Sequence, residues 1–317
     1  MYSEEDLNSA VAAGVLSGEA AAGLRAHAAQ RRLTPAVDEE HFRLVTGFND
    51  IFVVIACLLV LVSTGWTAGP AIGAGLAWVL AEFFVRKRHM ALPAIVLLLA
   101  FVGGLAAAGW AASPYLGCAL AAAGAALHWW RFRVPITIAA GVGAVLGLIG
   151  LAIVRLVPGA NQHLLPVFLA AGAASFALAL RWDASDTLRQ TRHSDVAFWL
   201  HLLAAPLLVH PVFMSLKIAG DQVSLMQIAV VVILYVGIAI VSVAIDRRAL
   251  MVSALAYVLY AFSALLKQYG MVSLNFAFTA AAIGAALLLL SAYWQPSRAF
   301  VLGFLPAAWR ARLAPLR

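Results

Sequence analysis

A succession of long apolar segments fills the chain from residue 47 to residue 295. Each is about as long as a helix must be to cross a hydrocarbon core roughly 30 Å thick, since a helix rises about 1.5 Å per residue. Of the 317 residues, 64% are hydrophobic and only 11% are charged, which is too few to cover a soluble domain of this size with polar groups. The sequence therefore predicts an all-α, polytopic transmembrane helix bundle. A soluble enzyme, a disordered scaffold and a nucleic-acid-binding domain are excluded by the same argument.

About ten spans fit into this apolar region. The second and fourth are short, and the alternative for them is that they merge with a neighbour or re-enter the membrane. We predict the spans at residues 49–66, 70–85, 91–110, 114–130, 135–157, 164–181, 195–216, 225–245, 249–266 and 272–293.

Basic residues distinguish the two sides of such a bundle. Of the 21 Lys and Arg residues, 18 fall on the side of the two termini, and only Arg155, Lys217 and Lys267 fall in the opposite loops. The positive-inside rule relates such an excess to the cytoplasmic side. The charges therefore predict a multi-pass protein of the bacterial cytoplasmic (inner) membrane with both termini in the cytoplasm.

Residues 1–46 are the only extended segment with the composition of a soluble domain. Gly14 is typical of the end of a first helix, and Ser17 is typical of the N-cap of a second helix that runs to about Arg32. Two short helices cannot form a stable core alone. We therefore predict a cytosolic helical segment that docks either on its own membrane bundle or on a cytosolic protein.

Residues 296–317 form a third division after the bundle of residues 47–295. Apolar side chains alternate there with Arg310, Arg312 and Arg317, and two prolines, Pro306 and Pro315, prevent a continuous span. This pattern predicts an interfacial segment whose arginines bind anionic lipid.

The predicted seventh span is the richest in polar groups at membrane depth. It contains His201, Pro206, His210 and Pro211. Each proline leaves a carbonyl of the preceding turn without its helical donor, and transporters use such interrupted helices to bind ions or polar solutes. A histidine in this position is able to carry a proton. The alternative is that each histidine only bonds a neighbouring helix.

Three further residues are candidates for a central cavity near the seventh span. Tyr257 and Tyr260 are three residues apart in the predicted ninth span and share a helical face, and Asn275 lies in the tenth. A buried tyrosine hydroxyl needs a hydrogen-bond partner, which a cavity or the seventh-span histidines would supply. The alternative is an ordinary core or lipid-facing position.

Carboxylates are concentrated near the predicted cytoplasmic ends of the spans, where they predict a polar cluster that locks the N-terminal segment to the bundle. Two local alternatives exist: Glu82 precedes Arg86 by four residues, which favours an ordinary ion pair on one helical face, and Asp195 with Ser194 is typical of an N-cap for the seventh span. The predicted cluster consists of Asp50, Glu82, Asp183, Asp186 and Asp195.

The sequence indicates neither an enzyme nor a cofactor. It contains no HExxH, GxSxG, GxxxxGK[ST] or CxxCH motif, and no pair of intramembrane aspartates. Cys57 and Cys118 lie in apolar segments without a histidine or cysteine at ligand spacing, so that neither a metal site nor a disulfide is indicated.

The segment FRLVTGFNDIFVVIA, residues 42–56, joins the N-terminal helices to the first span. With this junction and its ten-span organisation, the chain resembles a family of bacterial multi-spanning inner-membrane proteins that carry a short N-terminal helical domain. The resemblance implies a membrane bundle and brings no catalytic residues with it. Ten spans with both ends inside are also similar to the drug/metabolite transporter architecture, although those proteins lack a soluble prefix of this length.

Two hypotheses for the function follow from these observations. The first is a secondary permease for a small solute or ion, with a kinked seventh span as its gate and His201 or His210 as the coupling group. The alternative is a non-transporting membrane sensor or assembly protein whose N-terminal helices bind a cytosolic partner. We favour the permease, because anchoring alone does not require so many spans.

Overall fold

The computed structural model describes residues 4–32, 48–160, 164–187, 189, 191–215, 224–248, 250–251, 254–255, 258–259 and 275–316. The regular secondary structure in these ranges is helical throughout. The chain divides into two compact units, Met1–Leu44 and Val45–Arg317.

The first unit contains helix α1, Glu4–Ala12, and helix α2, Gly18–Arg32. Gly14 ends the first helical stretch with φ of 69°, a left-handed conformation that glycine adopts without steric cost. The Ser17 hydroxyl accepts a hydrogen bond from the backbone N–H of Ala20 at 3.1 Å, which is the predicted N-cap. Nη2 of Arg25 donates to Oδ1 of Asn8 at 2.8 Å and joins the two helices.

The second unit is a series of helices. A π-helical turn, Glu82–Lys87, directly continues its second helix. In chain order the helices are α3 Phe48–Ala68, α4 Pro70–Ala81, α5 Ala91–Trp110, α6 Pro114–Phe132, α7 Ile136–Leu156, α8 Leu164–Ser185, α9 Arg192–Ser215, α10 Leu225–Ile245, α11 Asn275–Ala292, α12 Trp294–Gly303 and α13 Ala307–Arg310.

Six of the described helices are long and apolar enough to cross a membrane. Their outward faces carry large apolar side chains, among them Phe52, Leu59 and Trp66 of α3, as expected of helices in contact with lipid. The chain is therefore an all-helical protein of membrane type. The six segments are Asn49–Ala68, Ala91–Trp110, Ile136–Leu156, Leu164–Ser185, Arg192–Ser215 and Leu225–Ile245.

The other predicted spans are not among these six. Predicted span 70–85 corresponds to α4 and its π-helical turn, 114–130 corresponds to α6, and 272–293 corresponds to α11. Predicted span 249–266 falls mostly outside the described residues. The count of ten spans therefore stays a prediction.

Helices α5 and α6 form a tightly packed hairpin. A Cβ atom built on Gly109 would lie 2.8 Å from Cα of Gly117, and one built on Gly117 would lie 2.8 Å from the carbonyl oxygen of Ala106. Ser113 starts α6 as its N-cap, since its hydroxyl accepts from the N–H of Leu116 at 3.1 Å. The two helices approach closely because both contact positions lack a side chain.

Helix α9 packs against several of its neighbours. Val196 and Leu200 pack with Ala179 of α8 and Ala139 of α7 in one buried apolar cluster. Farther along α9, Ala205 packs with Ile245 at the end of α10. These contacts bring the end of α8, the first half of α9 and the turn after α10 together.

Candidate functional site

The turn after α10 directs two charged side chains into the bundle. Asp246 ends the helix with φ of 58° and ψ of 44°, a left-handed conformation that aspartate tolerates better than most residues. The backbone N–H of Arg247 donates to the carbonyl of Ser242 at 3.0 Å, and the Ser242 hydroxyl donates to the carbonyl of Arg247. The turn is thus held by its own hydrogen bonds in addition to the contacts of its two charged side chains.

Asp183, Ser194, His201 and Arg247 form what we name the Asp183 cluster. Nε2 of His201 lies 2.8 Å from Oδ2 of Asp183, and Nη2 of Arg247 donates to Oδ1 of the same carboxylate at 2.7 Å. Nη2 of Arg247 also donates to the hydroxyl and the carbonyl of Ser194, both at 3.1 Å. One carboxylate therefore links α8, α9 and the turn after α10.

The Asp183 cluster is removed from solvent. His201 is 0% exposed, and the side chains of Arg247 and Asp183 are 3% and 13% exposed. An aspartate beside a guanidinium is ionised and accepts only, so Nε2 of His201 carries the hydrogen of their bond. Nδ1 of His201 is buried and has no hydrogen-bond partner within the described ranges. The neutral imidazole thus has the lone pair of Nδ1 directed into the interior of the bundle.

Arg189, Asp246, Trp294 and Arg298 form a second group, the Asp246 cluster. Nη1 of Arg189 donates to Oδ2 of Asp246 at 2.9 Å, and Nε1 of Trp294 donates to Oδ1 at 2.7 Å. Nη1 of Arg298 lies 3.9 Å from Oδ2. The Asp246 cluster joins the α8–α9 connection and the turn after α10 to helix α12.

The two clusters join the turn after α10 to the α8–α9 hairpin by two ion pairs of opposite polarity. The consecutive residues Asp246 and Arg247 pair with Arg189 and Asp183, which belong to the α8–α9 hairpin. Removal of one partner of a buried pair leaves the other charge uncompensated, at a cost of about 3–5 kcal/mol. The end of α10 and the α8–α9 hairpin are therefore held together by charge.

The predicted transport-site residues of α9 have different environments. His201 is buried in the Asp183 cluster, whereas His210 and Pro206 are exposed on the outside of the helix. Both Pro206 and Pro211 lie inside the continuous helix α9. The structure does not bring His201 and His210 together.

The remaining predicted cavity residues are described only in part. Tyr257 and Tyr260 lie outside the described residues. Asn275 is the first residue of α11, and its backbone alone is described. Their proposed place near the histidines stays a prediction.

Three of the five predicted cluster carboxylates lie around the α8–α9 connection. Asp183 is the centre of its cluster, and Asp186 accepts hydrogen bonds from the N–H of Thr191 at 2.8 Å and from its hydroxyl at 2.7 Å. Asp195 is half-buried in the first turn of α9. Its interpretation as an N-cap is wrong, because the helix begins three residues earlier, at Arg192, and the Thr191 hydroxyl accepts from the N–H of His193 instead.

The other two predicted cluster residues lie on different elements. Asp50 is 3% exposed in the first turn of α3. Glu82 accepts from Nε and Nη2 of Arg131 of α6, at 2.6 and 2.9 Å, and more weakly from Arg86 at 3.4 Å. The predicted Glu82–Arg86 pair is therefore present, but it is secondary to a bidentate pair that joins the π-helical turn after α4 to α6.

Sequence reasoning missed most partners of the two central carboxylates. Arg189 lies in the same loop as the predicted cluster residues Asp183 and Asp186, but the sequence assigns Arg247, Trp294 and Arg298 only to membrane orientation or to the interface. One local signal was available: Asp246 and Arg247 follow a 21-residue apolar helix directly, a position at which charged side chains often end a span.

Comparisons with known protein families, with curated proteins and with solved structures find no match to this chain.

Proposed function

We propose that the chain is a secondary permease for a small solute or ion, with the Asp183 cluster as its proton-coupling group. The observation that carries the proposal is the pair of His201 and Asp183, 2.8 Å apart, with a fully buried imidazole whose Nδ1 lacks a partner in the described part of the chain. Ionisable groups within a membrane bundle are costly and are typical of ion and proton pathways.

Protonation at Nδ1 turns the His201 ring into an imidazolium beside Asp183. Two cations, His201 and Arg247, then share one carboxylate, which weakens its attraction to Arg247. Arg247 belongs to the turn after α10, whereas Asp183 and His201 belong to the α8–α9 hairpin. The proton therefore changes the balance between two arrangements of these elements, which is the property that a coupled permease needs.

The location of the group along α9 agrees with this role. His201 is nine residues from the first residue of the 24-residue helix, about 13 Å along its axis. Pro206 follows by slightly more than one turn and cannot donate a backbone hydrogen bond there. A helix with this interruption bends more easily next to the coupling group.

Transport assays on the full chain in proteoliposomes test the proposal. A trapped pH-sensitive dye reports proton movement while amino acids, sugars and small organic acids are added outside one at a time. We expect at least one solute to drive proton movement with the unaltered chain, and His201→Gln to reduce that movement by at least about tenfold. His210→Gln is the matched control on the same helix and should transport normally.

Two results would overturn the assignment. One is proton movement in the His201→Gln variant equal to that of the unaltered chain. The other is that the unaltered chain shows neither solute uptake nor proton movement with any solute of the panel, although its melting temperature before and after reconstitution is the same and shows that it is folded.

The membrane assignment belongs to the same proposal. The distribution of Lys and Arg, 18 against three, supports a bacterial inner-membrane protein of about ten spans with both termini in the cytoplasm. This arrangement would put both ion-pair clusters at the cytoplasmic end of the bundle. Membership in the bacterial family that the chain resembles remains part of this proposal.

A second candidate function is a sensor or assembly protein that binds a cytosolic partner through residues 1–46. The N-terminal unit supports it with two exposed apolar side chains, Val15 at 80% and Leu24 at 45% exposure. Deletion of residues 1–40 from the full chain should then abolish capture of the partner and the cellular function, while His201→Gln changes neither. The permease predicts the opposite pattern for the histidine variant.

A further inference from the structure

Helix α12 has two faces of different character. Trp294, Arg298 and Leu302 follow each other at four-residue spacing and are buried against the bundle. Phe300 and Phe304 lie on the other side, 70% and 77% exposed, with ring centroids 5.0 Å apart. The helix is therefore attached by one face and presents the other outward.

Arg298 fixes the segment that follows α12. Its side chain is 0% exposed, and its guanidinium donates to the carbonyls of Ala314 and Pro315. The two ends of the segment 298–315 thus meet at one buried cation. The cation itself lies near Asp246, so that the segment is held by the Asp246 cluster.

The outward side of this segment combines aromatic rings with positive charge. Trp309 is 67% exposed, and Arg310 and Arg312 are exposed beside it. Residues 296–317 contain four arginines and no aspartate or glutamate. We name the set Phe300, Phe304, Trp309, Arg310 and Arg312 the C-terminal surface.

The chemistry of the C-terminal surface fits one partner best. Exposed aromatic rings favour the level of lipid headgroups, and nearby arginines favour negative phosphate. The surface is attached to the turn after α10, on the side that the distribution of arginines assigns to the cytoplasm. The cytoplasmic leaflet is the one that carries anionic lipid.

We propose that the C-terminal surface binds anionic phospholipid headgroups, and that this binding stabilises the Asp246 cluster to which the surface is attached. Arg310 and Arg312 contact the phosphates, and the three aromatic rings lie at the headgroup level. Because Asp246 is adjacent to Arg247, a lipid contact that stabilises the Asp246 cluster also stabilises the position of Arg247 in the Asp183 cluster. The choice of the cytoplasmic leaflet rests on the proposed membrane orientation, and this last step rests on the proposed permease function.

The test uses the full chain with Cys57 and Cys118 replaced by serine and with Ala308→Cys as the single labelling site. Ala308 is exposed next to Trp309, so a polarity-sensitive fluorophore there reports contact of the surface with lipid. Emission is compared in nanodiscs of phosphatidylcholine alone and in nanodiscs containing phosphatidylglycerol. We expect a blue shift that requires phosphatidylglycerol, and a melting temperature about 3–5 °C higher in the same discs.

Arg310→Gln with Arg312→Gln should abolish both responses. Lys87→Gln with Arg88→Gln removes the same charge from another exposed basic turn and should keep them. Equal emission in the two kinds of disc, or a full response in the Arg310/Arg312 variant, would overturn the proposal. A response to soluble glycerol phosphate in detergent equal to that in discs would show that the surface binds free phosphate and not a membrane.

The absence of a lipid response can be distinguished from the absence of transport. Both readouts are made without any transported solute, so that they do not depend on transport. A chain that transports but shows no lipid response contradicts only the lipid surface, and a chain that responds to lipid without transport contradicts only the permease.

Discussion

Oδ2 of Asp183 at the end of α8 lies 2.8 Å from Nε2 of His201 on α9, and the same carboxylate receives Arg247 from the turn after α10. The anion is therefore shared by an imidazole, whose charge depends on pH, and a guanidinium, whose charge does not. An exchange of partners at this one carboxylate would change how three helices meet.

Loss of the Asp183 charge should destabilise the bundle strongly. Asp183→Asn leaves Arg247 buried without its anion, and we expect the free energy of unfolding to fall by about 3 kcal/mol. Denaturant titration of the purified chain in detergent micelles measures the change. Asp195→Asn is the comparison, since Asp195 is half-buried and its charge acts on Arg247 without a direct ion pair within the described residues, and its variant should lose clearly less stability than Asp183→Asn. Equal stability of the two variants would contradict this account of Asp183.

The hydrogen bond between Trp294 and Asp246 should be measurable on its own. Trp294→Phe keeps an aromatic ring on the buried face of α12 but removes the N–H that donates to Oδ1 at 2.7 Å. Because the acceptor is charged and buried, we expect a loss of about 1.5–3 kcal/mol in the free energy of unfolding. Trp309→Phe, at an exposed position, should change the free energy of unfolding by less than about 0.5 kcal/mol. Similar losses for both tryptophans would show that the bond contributes nothing specific.

The two arginine partners of Glu82 should differ in importance. Arg131→Gln removes a bidentate contact at 2.6 and 2.9 Å between partners that are each 31% exposed, and we expect a loss of about 1 kcal/mol. Arg86→Gln removes a 3.4 Å contact of a side chain that is 57% exposed and should be close to neutral. Thermal unfolding of both variants beside the parent gives the comparison. A larger effect at Arg86 would favour the local pair expected from spacing.

The close approach of α5 and α6 predicts a sharp difference between two glycines of one helix. Gly109→Ala puts a methyl group 2.8 Å from the backbone of Gly117, and the helices must separate at a cost of about 1–3 kcal/mol. Gly103→Ala meets nothing within 4 Å and should be neutral or slightly stabilising. Melting temperatures of the two variants in the same detergent decide the matter. A neutral Gly109→Ala would mean that the hairpin packs less closely.

Labelling of single cysteines tests the proposed orientation in the membrane. In a background without Cys57 and Cys118, Val157→Cys should react with a membrane-impermeant maleimide added to intact cells, because Val157 is exposed after α7 on the predicted outer side. Arg88→Cys should react only after the cells are opened. Labelling of the Arg88 variant from outside would reverse the assignment of the two sides.

Much of the helical architecture was predictable because apolar length alone determines where a membrane helix runs. The predicted spans 91–110 and 225–245 coincide with α5 and α10, and 164–181 falls within α8. Predictions were weaker where the end of a helix depends on side-chain hydrogen bonds. Helix α9 begins at Arg192 because Thr191, and not Ser194, accepts from its first N–H groups.

The candidate site was predictable only residue by residue. His201 and Asp183 were each selected for their charge near the membrane, but their shared partner Arg247 is 64 positions from Asp183, and no local pattern relates positions that far apart. The positive-inside rule accounts for the position of Arg247 on the cytoplasmic side, so the sequence gives no separate reason to expect its ion pair with Asp183. At Glu82, spacing identified Arg86, whereas the stronger partner Arg131 is 49 positions away.

The hydrogen bonds from Arg298 to the carbonyls of Ala314 and Pro315 have a practical consequence for the design of shortened variants. Trimming after Leu313 removes these two carbonyl acceptors from a guanidinium that is 0% exposed, although the deleted residues look dispensable. Purification tags are better joined beyond the last residue, with a spacer, than substituted for the final four.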